Sequence, residues 1–280
     1  MRTRVNGVEV GYDIYGAQSS PQTLVLLHAF PLSREQWREQ AMVLAQRGGI
    51  RVVTPDLPGT GESSVPCVPG EPVTVERMAE IALALLNTLG VSEFALGGLS
   101  MGGYVALAAW RAAPHRIRRL ILADTRATAD TPEGRAGREA TAQLALQRGP
   151  LAVFERDLPK LLSPLTLNTR PDIVVFARAL AAANSPQGIA SVARGLALRP
   201  DATAELPSIS CPALILVGEQ DAITPVDDAR ALFARVPNAQ LEVIEGAGHL
   251  SNLDQPDRFS ILVDRFLRGQ PSGLVMQHEA

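Results

Sequence analysis

The segment FALGGLSMGGYVALAAW (94–110) decides the fold, because it joins a short apolar run to a helical stretch. A strand that turns directly into a helix holds its corner residue, here Ser100, in a strained backbone conformation. Side chains two positions before and after that corner would collide, and glycines, Gly98 and Gly102, occupy both positions. The segment therefore predicts a strand–corner–helix unit that pushes the Ser100 hydroxyl out above the end of the strand.

Further apolar runs predict more strands of the same sheet. Continuous runs of this kind are typical of strands that are buried on both faces, as in parallel sheets. They are LVLLH, RVVTPD, RLILADT, ALILVGE and LEVIEG, at 24–28, 51–56, 119–125, 213–219 and 241–246. Helical stretches alternate with them, at 33–47, 74–89, 101–113, 226–235 and 255–268. We therefore expect an α/β fold: a mostly parallel central sheet with helices on both faces, and a hairpin around Asn6-Gly7 at one edge.

Residues 126–207 interrupt this alternation. The segment is rich in Ala, Leu and Arg, contains many prolines and lacks a strand pattern, so it predicts several short helices. Because the flanking strands complete one sheet, we expect residues 126–207 to form a helical cap inserted in a core of residues 1–125 and 208–270. Residues 271–280 are expected to be a C-terminal tail. The candidates for a pocket lining in the cap are Leu144, Leu146, Val153, Phe154, Leu161, Leu162, Val174, Val175 and Phe176.

A serine hydroxyl is a weak nucleophile, so Ser100 needs a base and an acid that orients the base. Among the four histidines, His249 follows the last predicted strand, where open α/β sheets build their sites. Asp221 and Asp124 also follow predicted strands and compete for the role of the acid. We expect Ser100 to be the nucleophile, His249 the general base and Asp221 the orienting acid. Asp124 is then expected to be a polar group at the base of the cap.

The loop after the strand at 24–28 reads His28-Ala29-Phe30-Pro31. When a serine attacks a carbonyl, the resulting oxyanion needs N–H donors, and a helix N-terminus offers free N–H groups. We assign the two donors to the backbone N–H groups of Phe30 and Met101. His28 is expected to brace the loop by hydrogen bonding and not to transfer protons.

Together, the order Ser100, Asp221, His249, the GLSMG corner and the HAFP loop resemble the α/β-hydrolase fold family. GLSMGG and GHLSNLDQP are most similar to the corresponding segments of small bacterial carboxylesterases and of the enol-lactonases that act on 3-oxoadipate lactone. HAFP looks like the family's HGxP loop with alanine in place of glycine. DLPGTGES has Thr60 where a histidine is common in the family. The resemblance spans nearly the whole chain and implies ester or lactone hydrolysis.

Composition narrows the range of partners. The net charge is −3 and 20% of the residues are charged, with no basic excess, which argues against nucleic acid. No stretch reaches the roughly 18 apolar residues that a membrane span needs, and no secretory signal is evident, so we expect a cytoplasmic enzyme without a membrane partner. PGTGES lacks the lysine of a phosphate-binding loop, and no cluster has metal-ligand spacing; neither cofactor nor metal is expected. Cys67 and Cys211 are expected to be unpaired.

The function predicted from these residues is hydrolysis of carboxylic esters of small to medium, mostly apolar substrates, through an acyl-enzyme on Ser100. The first alternative is an enol-lactonase or another lactone hydrolase. A perhydrolase or acyltransferase, in which peroxide or another alcohol replaces water, is the next. The alternative that is not an enzyme is a small-molecule receptor that keeps the triad but turns over slowly.

Overall fold

The computed structural model describes residues 1–65 and 71–270, and these form an eight-stranded sheet with the spatial order β1-β2-β4-β3-β5-β6-β7-β8. The β1–β2 hairpin at one edge pairs antiparallel, and the other six strands are parallel to one another. The strands are β1 (Arg2–Val5), β2 (Val8–Tyr15), β3 (Gln22–Leu27), β4 (Ile50–Pro55), β5 (Phe94–Leu99), β6 (Ile117–Ala123), β7 (Ala213–Gly218) and β8 (Ala239–Ile244). The predicted fold class is confirmed, and each predicted strand boundary lies within two residues of the observed one.

The helices follow the predicted alternation. In chain order they are α1 (Arg38–Gln46), α2 (Val75–Thr88), α3 (Met101–Ala112), α4 (Pro132–Arg148), α5 (Pro150–Leu161), α6 (Pro164–Thr169), α7 (Pro171–Ala182), α8 (Pro186–Ala197), α9 (Val226–Phe233), α10 (Ser251–Asp254) and α11 (Pro256–Leu267). Short 3-10 helices cover Arg34–Trp37, Pro114–Arg116 and Thr203–Ser208. The first of these replaces the beginning of the helix predicted at 33–47.

The sheet is buried on both faces because its side chains alternate. In β3, Val25 and Leu27 pack on the face that is covered by α2, α3 and α9. Leu24 and Leu26 pack on the opposite face, among residues of α1 and α11. Continuous apolar runs are what this two-sided burial requires, which is why the runs predicted strands.

Prolines define the starts of the helices between β6 and β7. Each of the helices α4 to α8 has proline as its first residue, a position where the missing N–H has no helical partner and the fixed φ angle suits a helix. Thr131, Ser163 and Ser185 precede three of them, and each accepts a hydrogen bond from the backbone N–H three residues later. The prolines that break the sequence pattern are therefore helix starts.

The segment between β6 and β7 contacts loops at the carboxyl ends of the parallel strands. Asn184 accepts a hydrogen bond from the Gly61 N–H at 2.6 Å and donates one to the Pro31 carbonyl at 2.8 Å. The Leu250 N–H donates to the Leu161 carbonyl at 2.8 Å. On these contacts we propose that residues 126–207 form an inserted cap over a core of residues 1–125 and 208–270. The predicted tail, 271–280, lies outside the described residues.

The corner at Ser100 has the predicted geometry. Its φ is 55° and its ψ −111°, a conformation that non-glycine residues rarely adopt. A Cβ at Gly98 would lie 2.1 Å from the Gly102 carbonyl oxygen, and a Cβ at Gly102 would lie 2.1 Å from the Leu27 carbonyl oxygen. Neither position can hold a larger residue, because the atoms that a Cβ would meet belong to the backbone and cannot move aside.

Gly102→Ala should destabilise the protein by about 2 kcal/mol or more, because the new methyl group must separate α3 from β3. Gly137→Ala is the matched control. Gly137 lies in the exposed part of α4, where a Cβ meets nothing within 4 Å, so alanine should raise the free energy of unfolding by about 0.5–1 kcal/mol. Urea unfolding of both variants measures the effect. Equal stability of the two variants would contradict the proposed close contact.

Candidate active site

Ser100 sits between β5 and α3, and backbone hydrogen bonds fix its peptide groups. Its N–H donates to the Ala123 carbonyl at 2.9 Å, which continues the pairing of β5 with β6 beyond the strand. Its carbonyl accepts the Thr125 hydroxyl at 2.9 Å. The corner is thus held by the neighbouring strand, and the side chain, 9% exposed, is left to face a cavity.

The structure brings the three predicted residues of the triad together. The Ser100 Oγ lies 2.8 Å from His249 Nε2, and His249 Nδ1 lies 2.8 Å from Asp221 Oδ2. Because a carboxylate accepts hydrogen bonds, Nδ1 carries the ring proton and Nε2 accepts the hydrogen of the serine hydroxyl. His249 lies in the loop after β8 and is 1% exposed. This arrangement can transfer the serine proton to the imidazole.

Asp221 is held as an anion by several donors. Its Oδ1 accepts the N–H groups of Ile223 and Thr224 at 2.8 and 2.9 Å, and its Oδ2 accepts the Thr224 hydroxyl at 2.7 Å. Burial alone would raise the pKa of Asp221, but the charge and hydrogen bond of His249 and the bonds from Thr224 lower it below its usual value. The ionised form is the one that orients and stabilises an imidazolium.

Asp124 follows the last residue of β6 and precedes the segment 126–207. It is buried, with no exposed surface. Its Oδ1 accepts the Gly218 N–H at 2.8 Å, and its Oδ2 is hydrogen-bonded to the Ser251 hydroxyl. Burial and the negative charge of Asp221 raise the pKa of Asp124 well above its usual value. A raised pKa disfavours the anion that His249 needs as a partner, and the observed contacts of Asp124 instead join β6, β7 and α10.

The two predicted oxyanion donors both border the cavity that contains Ser100 and His249. The Ala29 carbonyl accepts His28 Nδ1 and the Leu32 N–H, each at 2.9 Å. The N–H and C=O of a trans peptide point in opposite directions, so this anchoring turns the Phe30 N–H away from the loop. Within residues 1–65 and 71–270, neither the Phe30 N–H nor the Met101 N–H donates a hydrogen bond.

His28 braces the loop, as predicted. It is completely buried, and its Nε2 accepts the Leu57 N–H at 3.0 Å while its Nδ1 donates to the Ala29 carbonyl. Burial lowers the pKa of His28, which keeps the ring neutral and able to accept at one nitrogen while it donates at the other. Thr60 donates to the Leu57 carbonyl at 2.6 Å and lies beside the same ring.

A strand–corner–helix serine with a histidine and an aspartate on later loops is the arrangement of one large hydrolase family. A family model for the alpha/beta hydrolase fold matches residues 22–256, most of the chain. The chain belongs to the alpha/beta hydrolase fold family.

This α/β hydrolase is similar to both esterases and lactonases. It shares 28% identity over 263 residues with 3-oxoadipate enol-lactonase 2 of Acinetobacter baylyi, covering 93% of this chain and 94% of the lactonase. A thermophilic esterase from Thermogutta terrifontis, solved with malate bound, has a TM-score of 0.91 and 38% identity, with 96% of this chain and 98% of the esterase covered. The enol-lactonase from Burkholderia xenovorans LB400 has a TM-score of 0.87 and 27% identity, with 96% and 100% covered.

A buried network of side-chain amides in this α/β hydrolase was not predicted from the sequence. Gln36 accepts the Ala29 N–H at 2.9 Å and donates to Asn252 Oδ1 at 3.1 Å. Asn252 donates in turn to Gln40 Oε1 and to the Gln36 carbonyl, each at 3.1 Å. The network links the loop that contains Phe30 to Asn252, three residues after His249. Gln36 and Gln40 are spaced four apart and border the apolar residues Trp37 and Ala41, a pattern that could have marked them as inward-facing.

The histidine loop is also attached to the cap. Asp254 Oδ2 accepts the Gly248 N–H at 2.7 Å and the Ser163 N–H at 3.0 Å. Together with the bond from Leu250 to Leu161, these contacts fix the end of α5 against the residues on either side of His249. Movement of the end of α5 would therefore displace His249.

The cavity beside Ser100 has a volume of about 190 Å³. Of the nine cap residues proposed for its lining, Leu161 alone borders it. Most of the others pack inside the protein, whereas Leu146 and Val175 are exposed. The lining is instead mixed, and comprises Phe30, Pro31, Ser100, Met101, Tyr104, Arg138, Thr141, Arg156, Asp157, Lys160, Leu161, Leu196, Ile223 and His249.

The remaining sequence predictions concern metals, membranes and thiols. Across residues 1–65 and 71–270, no group of three or more His, Cys, Asp or Glu side chains could hold a metal ion. In the same ranges no helix has the length and apolar content to cross a membrane. Burial raises the pKa of the Cys211 thiol to about 11. Cys67 lies outside the described residues.

Asp221→Asn should lower kcat by about 10⁴-fold, because the imidazole loses its anionic partner and its correct tautomer. Asp124→Asn should leave kcat within a few-fold of wild type, because an amide can keep the bonds to Gly218 and Ser251. Turnover of a short nitrophenyl ester by both variants is the measurement. The opposite order of effects would identify Asp124 as the acid.

The stability of Asp124→Asn, compared with that of wild type, gives a second readout. The pKa of Asp124 is raised by folding, so the folded protein keeps a proton that the unfolded chain releases above about pH 4. Asp124 therefore contributes a loss of stability between about pH 4 and its raised pKa, and Asp124→Asn lacks this contribution. In urea unfolding, the free energy of unfolding of the variant should rise relative to that of wild type as the pH increases from 4 to 7. A constant difference between the two proteins would contradict a raised pKa for Asp124.

Proposed function

We propose that the protein is a serine ester hydrolase that works through an acyl-enzyme on Ser100. The observation that carries this proposal is the hydrogen-bonded series Asp221–His249–Ser100, which opens into a cavity bordered by Phe30 and Met101. An oriented base supports nucleophilic attack, and unpaired N–H groups support stabilisation of the oxyanion.

In the first half-reaction, the Ser100 Oγ attacks the carbonyl carbon while His249 Nε2 takes the hydroxyl proton. The negative charge on the carbonyl oxygen is stabilised by the N–H groups of Phe30 and Met101. The bond to the alcohol then breaks, and the imidazolium returns its proton to the leaving oxygen. Asp221 stabilises the imidazolium throughout this step.

In the second half-reaction, water replaces the alcohol. His249 accepts a proton from the water as it attacks the acyl carbon, the same donors stabilise the second oxyanion, and Ser100 leaves with the proton from the imidazolium. A lactone would follow the same steps, with its alcohol remaining attached to the acyl group. Peroxide or another alcohol in place of water would give perhydrolysis or acyl transfer.

The enol-lactonases among the relatives make lactone hydrolysis the second candidate. The size of the cavity supports small substrates in either case, because drug-sized ligands occupy pockets of roughly 300–1,000 Å³. The cytoplasmic location stays a prediction from the sequence.

Ser100→Ala should keep the fold and lower kcat/KM by about 10⁴-fold or more, because the nucleophile is removed. A nitrophenyl phosphonate should add covalently to wild type at Ser100, and peptide mass spectrometry identifies the site. Ser19→Ala is the control, since Ser19 is exposed and lies outside the cavity. Labelling that persists in Ser100→Ala would reject the assignment. Labelling without steady turnover of any ester would favour the receptor alternative.

The cavity volume predicts the substrate size. Among nitrophenyl esters from acetate to palmitate, kcat/KM should be highest for short chains and fall steeply beyond them, because a long chain exceeds about 190 Å³. Highest efficiency on palmitate would reject a small pocket. The same assay with small lactones ranks the two candidate functions, and a lactone rate far above every ester would replace ester hydrolysis by lactone hydrolysis.

A further inference from the structure

Lys160 is the only lysine in a chain that contains 25 arginines, and it lines the cavity that holds Ser100 and His249. Two of the arginines, Arg138 and Arg156, line the same cavity. Asp157 is the one carboxylate among the lining residues, all of which belong to the described part of the chain. The cap therefore presents more positive than negative charge to the space in front of the nucleophile.

The ion pairs leave part of this positive charge uncompensated. Arg156 pairs with Asp157 through two nitrogens, at 2.9 and 2.7 Å. Arg138 pairs through its Nε with Asp130, at 3.0 Å, but Asp130 also pairs with Arg199 at 2.7 Å, so one carboxylate serves two guanidinium groups. The Lys160 ammonium makes neither a hydrogen bond nor an ion pair with any residue in 1–65 or 71–270.

Helical spacing places these cations on the faces that border the cavity. Arg156 and Lys160 are four residues apart on α5, and Arg138 lies three residues before Thr141 on α4. Like charges four apart on a helix repel each other, so an anion between them would relieve an unfavourable pair. A lysine ammonium on its flexible stem can also reach an anion in several orientations.

We propose that Lys160, with Arg138 and Arg156, binds a carboxylate that the substrate carries at the end away from its scissile carbonyl. This inference rests on the proposed function, since it places the scissile carbonyl at Ser100. The apolar side chains of Leu161, Leu196 and Ile223 line the same cavity and suit the short methylene chain between the two groups. The substrate class is then a half-ester of a small dicarboxylic acid, or a lactone with a carboxylate.

The kinetic test compares two esters of similar length, mono-4-nitrophenyl glutarate, which has a terminal carboxylate, and 4-nitrophenyl pentanoate, which has none. Wild type should prefer the glutarate ester. Lys160→Met should raise KM for that ester and lower kcat/KM about 10- to 100-fold, as expected for losing a hydrogen bond to a charged group, and leave the pentanoate within a few-fold. Arg148→Met is the matched control, because Arg148 is an exposed cap cation that does not line the cavity.

The outcomes separate this inference from the proposed function. Equal effects of Lys160→Met on both esters, or no preference for the anionic ester in wild type, would reject the carboxylate site while ester hydrolysis stands. No hydrolysis of either ester by wild type, or hydrolysis that survives Ser100→Ala, would reject the proposed function itself.

The single lysine allows a binding test that does not depend on turnover. An N-hydroxysuccinimide acetate reagent should modify two amines, the Lys160 Nζ and the Met1 α-amino group. In Ser100→Ala, which cannot form the acyl-enzyme, mono-methyl glutarate should slow acetylation of Lys160 and leave that of Met1 unchanged. Dimethyl glutarate should protect neither. Peptide mass spectrometry measures both rates, and equal acetylation of Lys160 with and without saturating mono-methyl glutarate would overturn the proposal.

Discussion

The close approach of Gly102 to the Leu27 carbonyl oxygen determines where the rest of the candidate site lies. It brings the first turn of α3 against the end of β3, so the Met101 N–H comes near the loop that contains Phe30. A second close approach, of Gly98 to the Gly102 carbonyl oxygen, accompanies the abrupt corner that turns the Ser100 side chain toward the cavity. The proposed oxyanion donors and the proposed nucleophile thus lie beside two places where only a hydrogen atom fits between backbones.

The sequence predicted those parts of the site that local geometry dictates. Gly98 and Gly102 are required by the corner itself, so their spacing around Ser100 indicated the turn directly. His249 and Asp221 were predicted from their positions after strands, because parallel strands end at one edge of the sheet. This reasoning needs the order of elements along the chain, and strand boundaries accurate to two residues were sufficient for it.

Features that depend on distant partners were not predictable in the same way. Asp124 also follows a strand, but burial and the negative charge of Asp221, 97 positions further along the chain, raise its pKa well above the usual value. The cap residues posed a related problem, since composition does not reveal which face of a short helix meets the core. Leu161 borders the cavity, while Val175 of the same predicted set faces solvent.

The amide network joins segments of the chain that are synthesised far apart in time. Gln36 and Asn252 are separated by 216 positions, so a chain still being synthesised has the oxyanion loop and Ser100 long before it has the partner that links them to the histidine loop. Contacts of such high sequence separation form late, after the intervening chain is available to fold. A nascent chain on the ribosome therefore contains Ser100 before His249, which lies 2.8 Å from its hydroxyl in the folded protein, has been synthesised. The contact between these two side chains forms only after β8 has joined the edge of the sheet and the segment that follows it has folded.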